Sequence, residues 1–400
     1  MDSDRCLSLE SKIARLFCGH LLTDLMAAPS PQSIVSQQSK PEESFARIVP
    51  VQDLISRFPA TRYYGSKKKL LHWMFDQLKS LHFQTVLDAF GGTASVSLLF
   101  RAMRKKVTFH DSFRFNTDVA RTLLSDQALP SRQGLEQTLS KVSPCEGVIA
   151  RNFENVFFKA GENRWLDGFM HLLQDADYAE VTAATYRYLL YQACLKKRPY
   201  NLFHRANLSL RTNEQVRRSF GNLVTWEKSF TDHMLEAYDS LALMEVPLAP
   251  AAEILEPGDA AEIKPGYDLV YLDPPYVSER ASVNLDNYWR RYHFLEGLAT
   301  YDDWEAKICH HSKTKEMVQP AHFRDWSRTS SFKDHLFELI EAHKRSIVVL
   351  SYVTNAFPAQ EEIAAEFERH FDQVSVHSTQ HSHALSRSKK RELLFIGRPK

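Results

Sequence analysis

The sequence predicts an α/β protein, a doubly wound and mostly parallel sheet interrupted by a helical insert. Three observations carry this. From residue 85 the chain alternates short apolar runs with segments of helical spacing, a βαβ succession that gives parallel strands joined by right-handed crossovers. The run "DLVYL" at 268–272 is apolar at nearly every position, which suits a strand buried on both faces. Between about residues 146 and 250 the strand signals stop, and helical stretches rich in aromatic and basic residues take over.

In chain order, residues 1–45 read as a disordered or weakly structured arm. "AAPSPQSIVSQQSKPEES" is polar, Ser/Gln/Pro-rich and without periodicity, although "SLESKIARLFCGHLLTDLM" before it has the spacing of one amphipathic helix. Met26 is a candidate alternative start. Residues 46–145 form the first part of the sheet domain: "TVLDAF" is a strand ending in Asp88, "GGT" a turn and "ASVSLLFRAM" a helix. "KKVTFHDS" is a second strand, ending in Asp111, with a helix from about Asn116. Residues 146–250 are the insert, and 251–400 complete the sheet with "EILEPGDA", "DLVYL", "SIVVLSYV", "QVSVHSTQ" and "RELLFIGR". "QEEIAAEFERHF" is a helix among these last strands.

Composition narrows the class. A chain of 400 residues, 44% hydrophobic and 25% charged, is an ordinary globular one, and no apolar run reaches the 18 or so residues of a membrane span. With no signal-peptide pattern at its opening, a cytoplasmic protein is expected. The cysteines (Cys6, Cys18, Cys145, Cys194, Cys309) are odd in number and form no C-x-x-C pair, so neither disulfides nor a zinc site is indicated and no metal is expected. "CHHSK", around Cys309, reads as a solvated helix end. At a net charge of +1, a polyanionic partner has to be met by a local basic patch.

The chemistry concentrates at strand ends. Asp273 closes the "DLVYL" strand, and Pro274 and Pro275, with fixed φ and no N–H, take the chain rigidly out of the sheet. Ligands of open α/β sheets bind outside strand carboxyl ends, so the Asp273 carboxylate and an unclaimed carbonyl beside it make two adjacent acceptors suited to an amino group. Tyr276 comes next, where its ring can lie over a flat heterocycle. A strand with a Pro-rich turn is the plain alternative for four residues alone. Other strand ends add to the row: "RYYGSKKKLLHW" supplies aromatics, a Gly-Ser turn and lysines, and "LDAFGGTASVS" places Asp88 before a glycine turn that lets backbone approach a ligand. Asp111 sits where an acid can bind ribose hydroxyls, and "EPGDA" puts Asp259 at another strand end.

In kind and in order these segments resemble the Dam-type (alpha-group, DPPY) DNA adenine-N6 methyltransferases, whose cofactor segment precedes the target-recognition region and whose "DPPY" comes after it. The resemblance covers roughly residues 58–398. It implies a Rossmann-like sheet, S-adenosylmethionine as methyl donor, and transfer to N6 of an adenine flipped out of DNA. Tyr63, Gly65 and Lys67 match the family's aromatic-x-Gly-x-Lys turn against the cofactor, and Asp88, Phe90 and Gly92 its segment around the methionine moiety. Asp111 matches the ribose-binding acid and Asp259 the acid facing the cofactor's adenine, while Asp273, Pro274, Pro275 and Tyr276 match the catalytic tetrapeptide. Ala94 departs from the family's second glycine, and Asp111 and Asn116 stand further apart than in Dam itself. "NYWRRYHFLEGLATYDDW", "VVLSYVTNAFP" and "KKRELLFIGRP" resemble a branch with a Tyr-His segment after the catalytic loop.

On this reading Asp273 and the Pro274 carbonyl accept the amino hydrogens of the base and Tyr276 stacks on it. Tyr292 or Phe294 could cover the other face, with a core role equally open. DNA recognition falls to "ACLKKRPYNLFHRANLSLRTNEQVRRSF": Lys196, Lys197 and Arg198 for phosphates, and Arg205, Asn207 and Arg211 with the chemistry for base edges. A solvated basic face is the bland alternative. The expected partner is DNA with a short specific site, read as duplex although the residues leave single strands open. The expected protein is a monomer without membrane contact. A cognate restriction endonuclease, a solitary role and a phage-borne one all fit. Cytosine-N4 or RNA-adenine methylation on the same fold, and a catalytically silent DNA-binding homologue, stay open. "DAFGGTAS" is no G-x-G-x-x-G, which disfavours a nucleotide-binding dehydrogenase.

Overall fold

The computed structural model describes residues 49–59, 63, 65–199, 202–217, 220–244, 250–277, 287–381 and 390–399. Seven strands, β1 (Thr85–Asp88), β2 (Lys106–Phe109), β3 (Glu253–Ile254), β4 (Leu269–Leu272), β5 (Ile347–Val353), β6 (Gln373–His381) and β7 (Lys390–Arg398), form one sheet. Its order is β3-β2-β1-β4-β5-β7-β6. Neighbours from β3 to β5 are parallel, whereas β7 runs antiparallel to both β5 and β6, so the mostly parallel sheet closes with a reversed pair at one edge. From β1 the chain runs outward through β2 and β3 on one side, then returns to the other side for β4 and β5, with β7 inserted between β5 and β6. That reversal opens a crevice at the carboxyl ends of β1 and β4, the usual ligand position of such sheets.

Alternation along the strands buries both faces. Val86, Leu269, Tyr271 and Val349 face one layer, where Leu71, Met74 and Leu99 come from the Leu71–Leu78 and Ser95–Ala102 helices. Leu87, Val270, Leu272, Val348 and Leu350 face the other, against Phe332, Leu336, Ile363 and Phe367 of the Thr329–Ala342 and Gln360–His370 helices. Each fully buried Leu or Val contributes about 1.5–3 kcal/mol relative to exposure. This two-sided burial is why the "LVYL" run carries no polar alternation.

The insert is helical, as expected, with its longest members at Ala160–Asp175, Glu180–Lys196 and Phe230–Ala242. It shares a continuous apolar cluster with the sheet's first face. Arg187 locks the Glu180–Lys196 helix to the Arg114–Leu124 helix through two bonds to Asp118 at 2.7 and 2.9 Å, and the Tyr191 hydroxyl adds a third at 2.7 Å. Val49–Lys400 forms one compact unit, and the arm expected over 1–45 lies outside the described residues. Among the described residues no helix is long and apolar enough to cross a membrane.

Candidate active site

At the carboxyl ends of β1, β2 and β4 lies a cavity of about 860 Å³, its open mouth included. Tyr63, Gly65, Lys67, Asp88, Phe90, Gly92 and Asp111 line it, together with Asp273, Pro275 and Tyr276. Pro274 is buried behind that surface. Asp259 stands back as well. β3 stops at Ile254, so Asp259 caps a short 3₁₀ turn instead of ending a strand, and its Oδ1 accepts bonds from the Ala261 N–H (3.0 Å) and Trp326 Nε1 (2.8 Å). The indole of Trp326, rather than Asp259 itself, reaches the cavity.

The glycine turn after β1 builds the floor. Gly92 adopts φ +51°, which lets its N–H donate to Asp111 Oδ2 at 2.8 Å. Asp111 lies two residues past the end of β2, and its Oδ1 accepts from the Phe113 N–H (2.8 Å) and Asn116 Nδ2 (2.9 Å). The first turn of the Arg114–Leu124 helix therefore carries Asn116 back over Asp111, and the longer spacing between them is absorbed by that turn. Ala94 takes a left-handed φ of +59°, costing an L-residue about 1–2 kcal/mol, at the position where the resembled family has glycine.

Buried carboxyls dominate the wall. Asp88 Oδ2 accepts from Ser97 Oγ at 2.6 Å, while its buried Oδ1 receives no hydrogen bond among the described residues. Burial raises this carboxyl to about 7 against the Ser97 bond, and the nearby Asp273 and Asp111 charges add to the rise. Asp111 is also pushed up by burial, with its three donors opposing. Burial likewise lifts Asp273 to about 6; Lys67 pulls it down and Glu392 pushes it up.

Those groups form one cluster. Lys67 Nζ lies 3.1 Å from Asp273 Oδ1, donates to the Tyr276 hydroxyl at 2.5 Å and contacts Glu392 Oε1 of β7. Burial alone would lower the Lys67 pKa, but the Asp273 and Glu392 charges outweigh it and hold the amine above its ordinary value, so it stays charged. The Tyr276 hydroxyl is 2.9 Å from Glu392 Oε1 and 3.2 Å from Asp273 Oδ1, and its ring meets Tyr352 edge-on. After the tetrapeptide, Val277 pairs with Phe357, whose N–H donates to the Val277 carbonyl at 2.9 Å and ties the exit of β4 to the chain beyond β5.

Aromatic rings complete the wall. Phe90 meets Trp326 edge-on at 5.0 Å, and Phe113 and Phe323 lie 4.5 Å apart at the same cavity. Gly65 adopts φ +85°, a conformation that favours glycine, and a Cβ there would lie 2.5 Å from the Tyr288 hydroxyl and force it to shift. Trp326, Phe113, Phe323, Tyr288 and Glu392 were not singled out by sequence reasoning. Tyr288 and Glu392 fall inside the quoted segments "NYWRRYHFLEGLATYDDW" and "KKRELLFIGRP", where nothing marks them individually, and Trp326, Phe113 and Phe323 carry no local motif. Of the two readings left open for Tyr292 and Phe294, the packing favours the core one: Tyr292 stacks flat on Tyr63 (4.3 Å, 4°) and Phe294 stacks on Phe203 (4.8 Å, 8°), both fully buried, so packing uses their faces.

The D12 class N6 adenine-specific DNA methyltransferase family model matches residues 63–345. The chain belongs to that family. Among curated proteins it is 25% identical over 356 residues to the Type II methyltransferase M2.HphI of Haemophilus parahaemolyticus, an overlap of 85% of this chain and 98% of that one. It is 23% identical over 258 residues to the Type II methyltransferase M.NlaIII of Neisseria lactamica, covering 61% of this chain and 71% of the relative. This D12 methyltransferase therefore acts on DNA adenine at N6, and the reaction of its family uses S-adenosylmethionine.

The basic segment of the methyltransferase is corrected by the fold. Lys197, Arg198, Asn207 and Arg211 turn inward instead of forming a solvent face. Lys197 lies 3.0 Å from Glu162 and donates to the Trp226 carbonyl at 3.2 Å; Arg211 makes two bonds to Glu162 at 2.8 and 2.9 Å. Arg198 is sandwiched between the Phe157 and Phe203 rings, 4.2 Å from each centroid, and donates to Asn207 Oδ1 at 2.7 Å. Asn207 in turn donates to the Pro199 carbonyl. The cause is the Glu162 carboxylate and the ring stack, which make burial of these cations cheaper than sequence charge alone indicates. Arg205 and Arg217 remain exposed, and Lys196 is half-buried beside Glu236.

Proposed function

We propose that the cavity holds S-adenosylmethionine beside a flipped adenine, and that Asp273 and the Pro274 carbonyl accept the two hydrogens of the adenine amino group. The observation that carries this reading is the charge of the wall. Asp88, Asp111 and Asp273 share it with Lys67 as the single cation among its described lining residues, and Lys67 is already committed to Asp273 and Glu392. Such a wall suits a cationic ligand. The unsatisfied Asp88 Oδ1 is placed to take a cationic group, and the Asp111 carboxylate keeps acceptor capacity for ribose hydroxyls beyond its present bonds. Phe90, Gly92, Tyr63 and Gly65, all lining the cavity, would hold the cofactor's methionine part, and Trp326, held by Asp259, would offer an aromatic face for a heterocycle.

When bound, S-adenosylmethionine supplies an electrophilic methyl group on its sulfonium. The protein's part is position and electrostatics. Asp273 Oδ1 faces Lys67 while Oδ2 accepts no bond among the described residues, which leaves it for an amino hydrogen. Two acceptors turn the nitrogen lone pair toward the methyl and gain strength as the nitrogen becomes tetrahedral, so they favour the transition state over the ground state. The surplus proton leaves through Asp273, whose carboxyl is held up to about 6. Tyr276 returns part of the few kcal/mol that base extrusion costs.

In this account residues 146–250 form the target-recognition insert, and 46–145 and 251–400 are the two parts of the catalytic domain. Arg205, Arg217 and Lys196 contribute phosphate contacts to a duplex site. The residues that line the cavity all come from one chain, so a second copy is not needed to complete it. Both curated relatives are named Type II methyltransferases, which supports a cognate restriction endonuclease as partner.

Titration calorimetry tests the cofactor assignment. Below about pH 7 the Asp88 carboxyl holds a proton, and a cationic ligand has to expel it. Affinity for S-adenosylmethionine should therefore fall as pH drops below 7, by up to about tenfold per unit. Asp88→Asn should weaken binding by roughly tenfold or more and flatten the dependence. Wild-type affinity and an unchanged pH profile in that variant would remove Asp88 from the cofactor site.

A further inference from the structure

We propose that Glu392 is a positioning residue for methyl transfer: from β7 it fixes Lys67 and the Tyr276 hydroxyl so that Asp273 presents a free Oδ2 to the base. The inference rests on the reading of Asp273 given above. Glu392 is almost wholly buried, with 1% of its side chain exposed, and Lys67 is 6% exposed. Burying an ion pair gives little or no stability over apolar residues of similar size, so packing does not account for an acid among the leucines of "KRELLFIGR".

The bond count gives the acid a role. An ammonium has three hydrogens, and Lys67 directs them at Asp273 Oδ1, Glu392 Oε1 and the Tyr276 oxygen. Tyr276 has one hydrogen, and Glu392 Oε1 at 2.9 Å is closer than Asp273 Oδ1 at 3.2 Å. Ser351 Oγ of β5 supports the same Oε1 at 3.1 Å. With Glu392 charged, both Lys67 and Tyr276 are drawn partly away from Asp273. With Glu392 neutral, both collapse onto Asp273, quench its charge and weaken it as an acceptor.

The charged and titratable groups facing Asp273 are Lys67 from the turn after Gly65, Tyr276 beyond it in its own segment, Tyr271 of β4, Asp88 of β1 and Glu392 of β7. Of these Glu392 raises the Asp273 carboxyl and Lys67 lowers it. Loss of the Glu392 charge should therefore lower the pH at which Asp273 protonates. That shift reports the charge of Glu392, while the rate and its recovery in Glu392→Asp report the positioning.

The test is the single-turnover rate of labelled methyl transfer to DNA across pH, with the full chain and saturating cofactor. Glu392→Gln should slow the rate by up to about a hundredfold, keep cofactor affinity and shift the acid limb to lower pH. Glu392→Asp, which keeps the charge, should leave the limb in place and recover part of the rate. A Gln variant with wild-type rate and limb overturns the proposal, as do Gln and Asp variants equally slow with unmoved limbs. Should the Gln variant fail to fold, Glu392→Asp decides: a slowed enzyme with wild-type limb is expected, and full rate refutes the role. Asp273→Ala runs beside them. Activity in that variant would sink the Asp273 reading itself, whereas a dead Asp273→Ala with a wild-type Glu392→Gln would sink only the present inference.

Discussion

Asp273→Ala is expected to bind S-adenosylmethionine with near wild-type affinity and to lose about two to four orders of magnitude in methyl transfer. The side chain removed is the acceptor at the mouth of β4, and its Oδ2 has no structural duty among the described residues. Lys67 keeps Glu392 and Tyr276 as partners, so the fold around it should survive. Calorimetry with the cofactor and a filter assay with labelled methyl separate the two effects. Turnover close to wild type would take Asp273 out of the chemistry.

Arg198→Glu should fail at the level of folding rather than of DNA binding. The guanidinium is fully buried between Phe157 and Phe203, and burial lowers its pKa to about 9, with no partner for Nε and Nη1 among the described residues. A carboxylate there loses the ring contacts and the Asn207 bond and adds an unpaired buried charge, a change that costs about 3–5 kcal/mol. Thermal melting and soluble yield read this directly. Arg205→Glu, on an exposed position, is the contrast: it should melt like wild type and bind DNA more weakly with a shallower salt dependence. If Arg198→Glu melted normally and only DNA affinity fell, the residue would belong to the DNA surface after all.

The contrast between these two arginines marks how far the sequence was legible. Strand ends could be read because geometry there is local: a buried apolar run must stop, and its exit, Asp88 with its glycine turn or Asp273 with its prolines, is fixed by the next few residues. The expected strands fall where the apolar runs are, and the cavity gathers the residues named from them apart from Asp259 and Pro274. Asp259 was legible as an acid near a strand but not as the support for Trp326, since the two are 67 residues apart. Glu392 is more distant still from Lys67, separated by 325 residues, and nothing near either one announces the pair. The basic insert misled for a similar reason. Lys197 and Arg211 are met by Glu162, and Arg198 by rings from two segments, contacts that only the packed helices bring about. Ala94 shows the opposite case, where a departure from the resembled pattern alters strain in one residue and leaves the turn intact.

The most direct test of the account is the chemical identity of the product. Unmethylated DNA incubated with the protein and labelled S-adenosylmethionine, then digested to nucleosides for mass spectrometry, should yield label in N6-methyladenine. Label in N4-methylcytosine, or none at all from protein that binds the cofactor, would contradict it.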